Sequence, residues 1–349
     1  MLFGKKSATI GLDIGSSQIK MVEIQKTGKG FALANYGMVA LLPEAIVEGE
    51  IMDRTLVIDT IKNLLETRKV KSHDVVSAIS GRGVIVKRIT MDKLKEQEAR
   101  DRMKWEAEQH VPFDISDVTL DFQILNPDTG NNQMEVLLVA AKNETVNSQL
   151  DLLSGAGLNP VLMDYSAFAV QNAYEANYDV APEEIVALVH IGADGTNINF
   201  VKAGIPYFTR DLPMAGNACL QLIQKNLGIS YEQATELIKG ETVADVSADS
   251  AASVFTSFAE DFASSIERTL SFLAMSGGGE RMSRVVMSGG GALIPSLQDH
   301  LKERFGIPVD IVNPLQKITF DPNLFGAAGS EKVAPILTLA IGLGLREVK

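Results

Sequence analysis

Two short turns and one run of glycines are the places where this chain could do chemistry. The first turn reads Gly11-Leu12-Asp13-Ile14-Gly15-Ser16-Ser17, with Lys20 just beyond it. A phosphate is held well by backbone N–H groups that have no Cβ in the way, which is what glycine and serine at a tight turn supply. Ser16 and Ser17 add hydroxyl donors, Lys20 adds an ammonium able to reach a phosphate, and Asp13 can hold the water shell of Mg2+. The second turn runs through Gly192, Ala193, Asp194, Gly195 and Thr196. The third feature is Ser288 followed by Gly289, Gly290 and Gly291, a bend without side chains on which a purine can lie flat. Either turn alone reads as an ordinary connection between strands. Carried on separate halves, the two can close on the phosphates of one nucleotide.

Strands and helices must position these turns, and an internal repeat says how. Ala8 to Ile24 reads ATIGLDIGSSQIKMVEI and Ile185 to Val201 reads IVALVHIGADGTNINFV. Each is an apolar strand, a turn of small residues after Ile-Gly, and a second strand of alternating character, so each half opens with a hairpin. A helix is predicted from Arg54 to Arg68 and a strand from Asp74 to Ser80. The charged stretch Met91 to His110 reads as a helix stopped by Pro112. Strands follow at Val118 to Leu125 and Met134 to Ala141, joined by an Asn/Pro/Asp/Gly turn, and residues 81–143 read as an insertion. Helices at Glu144 to Gly155 and Ser166 to Asn177 lead to a polar link, Asp179 to Glu184, as the main boundary. Beyond it come helices at Asn217 to Leu227, Tyr231 to Lys239 and Val254 to Met275, then a buried strand Val285 to Ser288. The glycine bend leads into a helix with Pro295 near its first turn, whereas Gly277-Gly278-Gly279 reads as slack. This order implies a two-lobed α/β architecture.

Composition removes several classes of function. The 349 residues can bury a large core, and the single cysteine, Cys219, excludes a disulfide framework. His73, His110, His190 and His300 offer no pair at metal-ligand spacing. A net charge of −12 argues against nucleic acid and acidic partners. The start lacks the apolar run of a signal peptide, and the longest apolar stretch, Ile336 to Leu345, is about half of the roughly 20 residues a spanning helix needs. A cytoplasmic protein is expected. No P-loop, dinucleotide fingerprint or kinase catalytic loop competes with the clamp.

With these residues in hand, IGLDIGSSQIK, VHIGADGTN and VVMSGGGALIP resemble, in order and spacing, the two phosphate loops and adenosine loop of the actin, sugar-kinase and heat-shock-chaperone superfamily. Within it the chain is most similar to the PilM family of type IV pilus assembly, relatives of the division protein FtsA. The likeness is carried by LFGKK near the start, KWEAEQHVPFDISDVTLDFQIL from Lys104, IPYFTRDLPMAGN from Ile205 and LTLAIGLGLRE from Leu337. The resemblance implies an actin-like ATPase (ribonuclease H-like) fold with an FtsA-like inserted α/β subdomain. It divides the chain into 1–80 and 144–182 for the first lobe, 81–143 for the partner-binding insertion, 183–334 for the second lobe and 335–349 for a returning C-terminal helix. ATP or ADP with Mg2+ are the implied cofactors. Asp13, Gly15, Ser16, Ser17 and Lys20 then form the first phosphate loop, and Gly192, Ala193, Asp194, Gly195 and Thr196 the second. Ser288 and Gly289 to Gly291 form the adenosine loop, Gly216 and Asn217 a phosphate-side turn, and Glu236 and Lys239 reach ribose and base.

The implied partner is the cytoplasmic N-terminal peptide of PilN, docked between the insertion and the first lobe. PilO and PilP follow indirectly, and the motor ATPases, the platform protein PilC and homo-oligomer formation are left open. Trp105 and Phe113 are expected as core residues of the insertion, the alternative being a docking surface. Two departures bear on turnover. His190 stands where the superfamily has a Mg2+-holding aspartate, and the helix expected to open with a water-orienting Glu or Gln opens with Ser166, with Asp164 two residues earlier. Slow or absent hydrolysis is expected. An FtsA-like division factor and a small-molecule kinase are the competing functions, and the membrane-binding tail of the first and the catalytic carboxylate of the second are not found in the sequence.

Overall fold

A computed structural model describes residues 9–28, 30–276 and 281–347. LFGKK and the Gly277-Gly278-Gly279 run fall outside the described residues. The chain opens with β1 (Ile10–Ile14), β2 (Gln18–Thr27) and β3 (Gly30–Ala40), then a small hairpin of β4 (Ile46–Val47) and β5 (Glu50–Ile51), α1 (Arg54–Thr67) and β6 (Asp74–Ile79). β1, β2 and β3 form an antiparallel meander, and β6 returns parallel to β1. Where the sequence suggested hairpins, the structure has three-stranded meanders. α1 forms where the sequence places it because Asp53 caps it, its carboxylate accepting the Leu56 N–H, and because Val57, Ile61 and Leu64 make one buried stripe.

The inserted block follows: β7 (Val84–Asp92), α2 (Glu96–His110), β8 (Val118–Gly130) and β9 (Gln133–Lys142), with β9 central in its own three-stranded sheet. Met91 belongs to β7 and not to the helix, which starts at Glu96 where Glu98 reaches back to the Lys95 N–H. α2 buries Ala99, Met103 and Ala107, spaced four apart on one face. Trp105 is off that face and 70% exposed, against the expectation of a core residue. Phe113 is half-buried against the block's core, under the Lys142 ammonium.

α3 (Asn143–Gly155), β10 (Asn159–Tyr165) and α4 (Ser166–Asn177) continue the first lobe, in which β10 pairs in parallel with β6. The second lobe repeats the plan. β11 (Ile185–Ile191), β12 (Thr196–Lys202) and β13 (Ile205–Leu212) form a meander, and helices α5 (Gly216–Leu227), α6 (Tyr231–Ile238) and α7 (Ala248–Ser276) lead to β14 (Arg284–Ser288) parallel to β11. α8 (Leu297–Phe305) and β15 (Val309–Ile311) follow. β16 (Thr319–Phe320) then pairs in parallel with β3 and, with α9 (Ser330–Val333) and α10 (Thr338–Gly344), packs on the first sheet, so the chain returns to the first lobe before residue 334, where the sequence had the second lobe end. Pro295 lies outside α8, because Ser296 takes φ +63° between them and begins the helix only after it. The strand orders are β10-β6-β1-β2-β3-β16 in one sheet and β13-β12-β11-β14-β15 in the other.

α4 and α10 wedge between the sheets. Val76 of the first sheet and Val186, Leu188 and Val286 of the second share a core with Ala169, Tyr174 and Leu343. The backbones come close enough that a Cβ on Gly342 would sit 1.7 Å from the Ala169 carbonyl oxygen, and one on Gly11 would sit 2.3 Å from that of Ala340. Among the described residues no single helix is long and apolar enough to cross a membrane. One strongly bent pair, Pro322–Ala328 with Ser330–Gly344, meets the length and composition, and the α10 part of it is buried.

Candidate functional site

The β1–β2 ladder sets Asp13 directly opposite Lys20, and Lys20 Nζ lies 2.9 Å from Asp13 Oδ2. Gly15 closes the turn by donating its N–H to the Gln18 carbonyl at 3.1 Å. A Cβ there would stand 3.2 Å from that oxygen and 3.5 Å from Lys20 Nζ, so glycine keeps the approach to the ammonium open. Ser16 and Ser17 form the tip. Among the described residues no hydrogen bond engages either hydroxyl or either N–H, which leaves four donors for an anion.

The second turn is tied from behind. Gly192 donates to Gly195 O at 2.9 Å, Gly216 donates to Gly192 O at 3.0 Å, and Asn217 donates to Ala193 O at 2.8 Å. Gly216 and Asn217 therefore do sit against this turn. Asn217 Nδ2 donates to Asp194 Oδ1 at 2.5 Å, and Asp194 Oδ2 accepts the Glu48 N–H at 3.2 Å from the β4–β5 hairpin, a bond between the lobes. Thr196 is buried and spends its hydroxyl proton on Met214 O at 2.7 Å.

β11 and β14 run in parallel with His190 beside Ser288, and His190 Nδ1 is 2.9 Å from Ser288 Oγ. The glycines after Ser288 have separate reasons. Gly289 has φ +82° and a Cβ on it would lie 2.4 Å from Ile191 O, while one on Gly291 would lie 2.2 Å from Ile191 Cγ2. Packing against the end of β11 demands these two, and a Cβ on Gly290 would meet nothing within 4 Å. Burial pushes the His190 imidazole down to about 4, partly offset by the Asp13 carboxylate and reinforced by the Lys20 ammonium. His190 is thus neutral at pH 7, and the charges of Asp13 and Lys20 reach it from the first lobe, which touches the second turn through the Glu48 N–H.

Asp164 belongs to the same surface. Across parallel strands, Leu12 is beside Ser77 and Ser77 beside Met163, so Asp13 and Asp164 end the row one step later on one face of the sheet. Asp164 Oδ1 accepts the Tyr165 N–H at 2.8 Å and Oδ2 lies 3.2 Å from Arg346 Nε. Burial raises its pKa, and Arg346 counters that. Ser166 opens α4 as expected, its hydroxyl donating to Ile79 O at 3.2 Å. Glu236 on α6 and Lys239 at its C-terminal cap are exposed, and among the described residues no hydrogen bond or ion pair joins them to Ser288–Gly291. Nor is there, among the described residues, a group of three or more His, Cys, Asp or Glu able to hold a metal by themselves.

Beyond the expected residues, the structure gathers a polar joint behind the second turn. Asn197 Nδ2 donates to Asp211 Oδ1 at 2.5 Å and to the Tyr165 hydroxyl at 3.0 Å, and Asp211 Oδ2 accepts the Gly81 N–H at 3.0 Å. Asn197 and Asp211 did not stand out in the sequence, because both strands carry other polar residues, such as Asn199 and Thr209.

Two lobes of repeated topology, each bringing a small-residue turn to one cleft with a glycine bend beside it, define the actin-like ATPase fold. Similar in fold are the ethanolamine utilization protein EutJ of Carboxydothermus hydrogenoformans (TM-score 0.57, 14% identity, 97% of this chain and 89% of that one) and MreB5 of Spiroplasma citri bound to AMPPNP (TM-score 0.52, 14% identity, 97% and 95%). Residues 11–348 match the model of the type IV pilus assembly protein PilM, and the chain belongs to that family. A solved PilM-PilN type IV pilus biogenesis complex is similar over 98% of this chain and 99% of that one, with TM-score 0.86 and 27% identity. Family membership decides for pilus assembly over the division-factor and kinase readings.

Proposed function

We propose that this protein is an ATP-binding scaffold of the pilus assembly complex, a switch worked by nucleotide binding more than by turnover. The observation that supports it best is the cleft where Asp13, Lys20 and the free donors of Ser16 and Ser17 face His190 and Ser288. In this reading Lys20 and the first turn hold the β- and γ-phosphates, the second turn closes from the other lobe, and Gly290 leaves room for the base. Asp13 would hold the waters of a bound Mg2+, with Asp194 a second candidate, and the ion would supply positive charge to the phosphates. Hydrolysis is slow, because His190 offers no negative charge, Ser166 spends its proton on Ile79 O, and Arg346 occupies Asp164. Glu236 and Lys239 contribute at most through a rearrangement of α6.

The protein in the solved complex assembles with PilN, and the same partner is proposed here. Residues 81–143 would be the subdomain that, with the first lobe, takes the N-terminal peptide of PilN through backbone and apolar contacts. The chain would then sit at the cytoplasmic face of the inner membrane through PilN, with PilO, PilP, the motor ATPases and PilC further out in the assembly. A useful switch requires unequal nucleotide affinity in the open and closed states.

The test is nucleotide released on denaturing the purified protein, together with pull-down on a synthetic PilN N-terminal peptide. Bound or bindable ATP and peptide capture are expected. No nucleotide affinity at millimolar concentration, or no peptide capture, overturns the corresponding half.

A further inference from the structure

The three parts of the molecule that the proposed switch must connect meet at one carboxylate. Asp211 lies on β13 of the second lobe, opposite Asn197 in the β12–β13 ladder, and Asn197 directly follows Thr196 at the end of the second turn. One carboxylate oxygen accepts from Asn197 and the other from the Gly81 N–H, 130 residues away in sequence. Gly81 stands between the end of β6 and the start of β7, where the chain leaves the first lobe for the inserted block. Its φ is +88° and a Cβ there would meet nothing within 4 Å, so the glycine serves the backbone conformation and not the space.

The surroundings add the first lobe to the same joint. Asn197 also donates to the hydroxyl of Tyr165, the last residue of β10, and that buried ring packs with Val84 and Ala141 of the inserted sheet and Ala167 of α4. A second contact joins β13 to the first strand of the inserted block, with the Arg88 guanidinium of β7 lying 5.2 Å from the centre of the Tyr207 ring of β13. β13 thus touches the lead-in to the inserted block at Gly81 and its first strand at Arg88, while the ladder ties it to the turn that faces the cleft. A carboxylate so enclosed is costly unless its hydrogen bonds are kept, and well-packed apolar groups would serve stability as well. Its two donors come from two bodies. That suits a part that fixes their relative position.

We propose that Asp211 is the positioning residue that couples the cleft to the inserted subdomain: movement of the second turn shifts β12 and β13, and Asp211 passes that movement to Gly81 and so to β7. This rests on the reading of the cleft as a nucleotide site. An element biased by both sites is what a coupling between them requires.

The chain carries its own reporter, since its single tryptophan, Trp105, is an exposed residue of α2 in the inserted block. Mg-AMPPNP would be titrated into the full chain while Trp105 emission and amide hydrogen exchange across residues 79–84 are followed. In the wild type both are expected to change with the midpoint of binding. Asp211→Ala is expected to bind the nucleotide within about threefold of wild type and to lose most of the response at both reporters. Asn197→Ala, with Asp211 still bonded to Gly81, is expected to lose it too. Thermal unfolding separates lost coupling from lost fold, and if Asp211→Ala does not fold the decision passes to Asn197→Ala and Arg88→Ala. A folded variant with the full wild-type response overturns the proposal. Wild-type binding with no response at residues 79–84 overturns the coupling alone, and a wild type that binds no nucleotide overturns the cleft reading with it.

Discussion

The first and second turns share a backbone plan and differ in their charge. At the first, Asp13 and Lys20 form an ion pair on adjacent strands, and among the described residues no hydrogen bond engages the hydroxyls or N–H groups of the serine tip. At the second, the residue in the place of Asp13 is His190, neutral and bonded to Ser288, and the one carboxylate, Asp194, is already held by Asn217 and by the Glu48 N–H. A symmetric fold therefore carries an asymmetric candidate site, with an ion pair and unengaged donors on one side and a neutral, hydrogen-bonded imidazole on the other. This fits a protein whose output is conformation, since the groups that would drive phosphoryl transfer are neutral or engaged elsewhere.

The comparison can be broken most severely through packing. The first turn stands on β1, which α10 approaches at Gly11, whereas Gly195 in the second turn has 3.8 Å to its nearest would-be neighbour. Gly11→Val is expected to cost about 3 kcal/mol or more in urea unfolding and Gly195→Ala under about 1 kcal/mol, because in the first case the obstacle is backbone that cannot move aside. Comparable losses at the two sites would erase the contrast.

Charge gives the next test. His190 takes a proton near pH 4 in the folded chain and near 6.5 when unfolded. Between those values only the unfolded state binds the proton, so folding stability falls as pH drops from about 6.5 to about 4 and levels off below. Relative to His190→Asn, the wild type is expected to lose up to about 3 kcal/mol across that window, read from denaturant midpoints at each pH. Parallel curves would mean the ring is not held neutral.

The smallest expected effect is the most local. Asp13→Ala removes the partner of Lys20 and the proposed holder of metal waters, and Mg-nucleotide affinity is expected to fall by about tenfold, or 1.4 kcal/mol, with a smaller loss for Asp194→Ala. Fluorescent nucleotide titration measures both. A larger loss at Asp194 would make the second turn the main anchor.

Much of the site was legible because its parts are local. The needs of a phosphate-binding turn are met within seven residues, from Gly11 to Ser17, and the repeat of that layout at Gly192 announced two similar lobes. α1 was legible as a helix because a buried stripe is written in the spacing of Val57, Ile61 and Leu64. Trp105 was legible in principle, since Ala99, Met103 and Ala107 define the buried face of α2 and leave position 105 off it. β3 and β13 were not, because both are mostly half-buried strands without clean alternation, made strands by pairing with β2 and β12. The reason for two of the three glycines after Ser288 also lay elsewhere, in Ile191.

By itself the sequence determined the chemistry of the turns, the two-lobed plan and the family, because backbone freedom, donor type and hydrophobic period are properties of neighbouring residues. Tertiary structure alone decided that His190 faces Asp13 and Lys20, that Arg346 covers Asp164, and that Asp211 bonds to Gly81. Those pairings join residues well over a hundred positions apart, and only the packing of the elements between and around the two sheets brings them within reach.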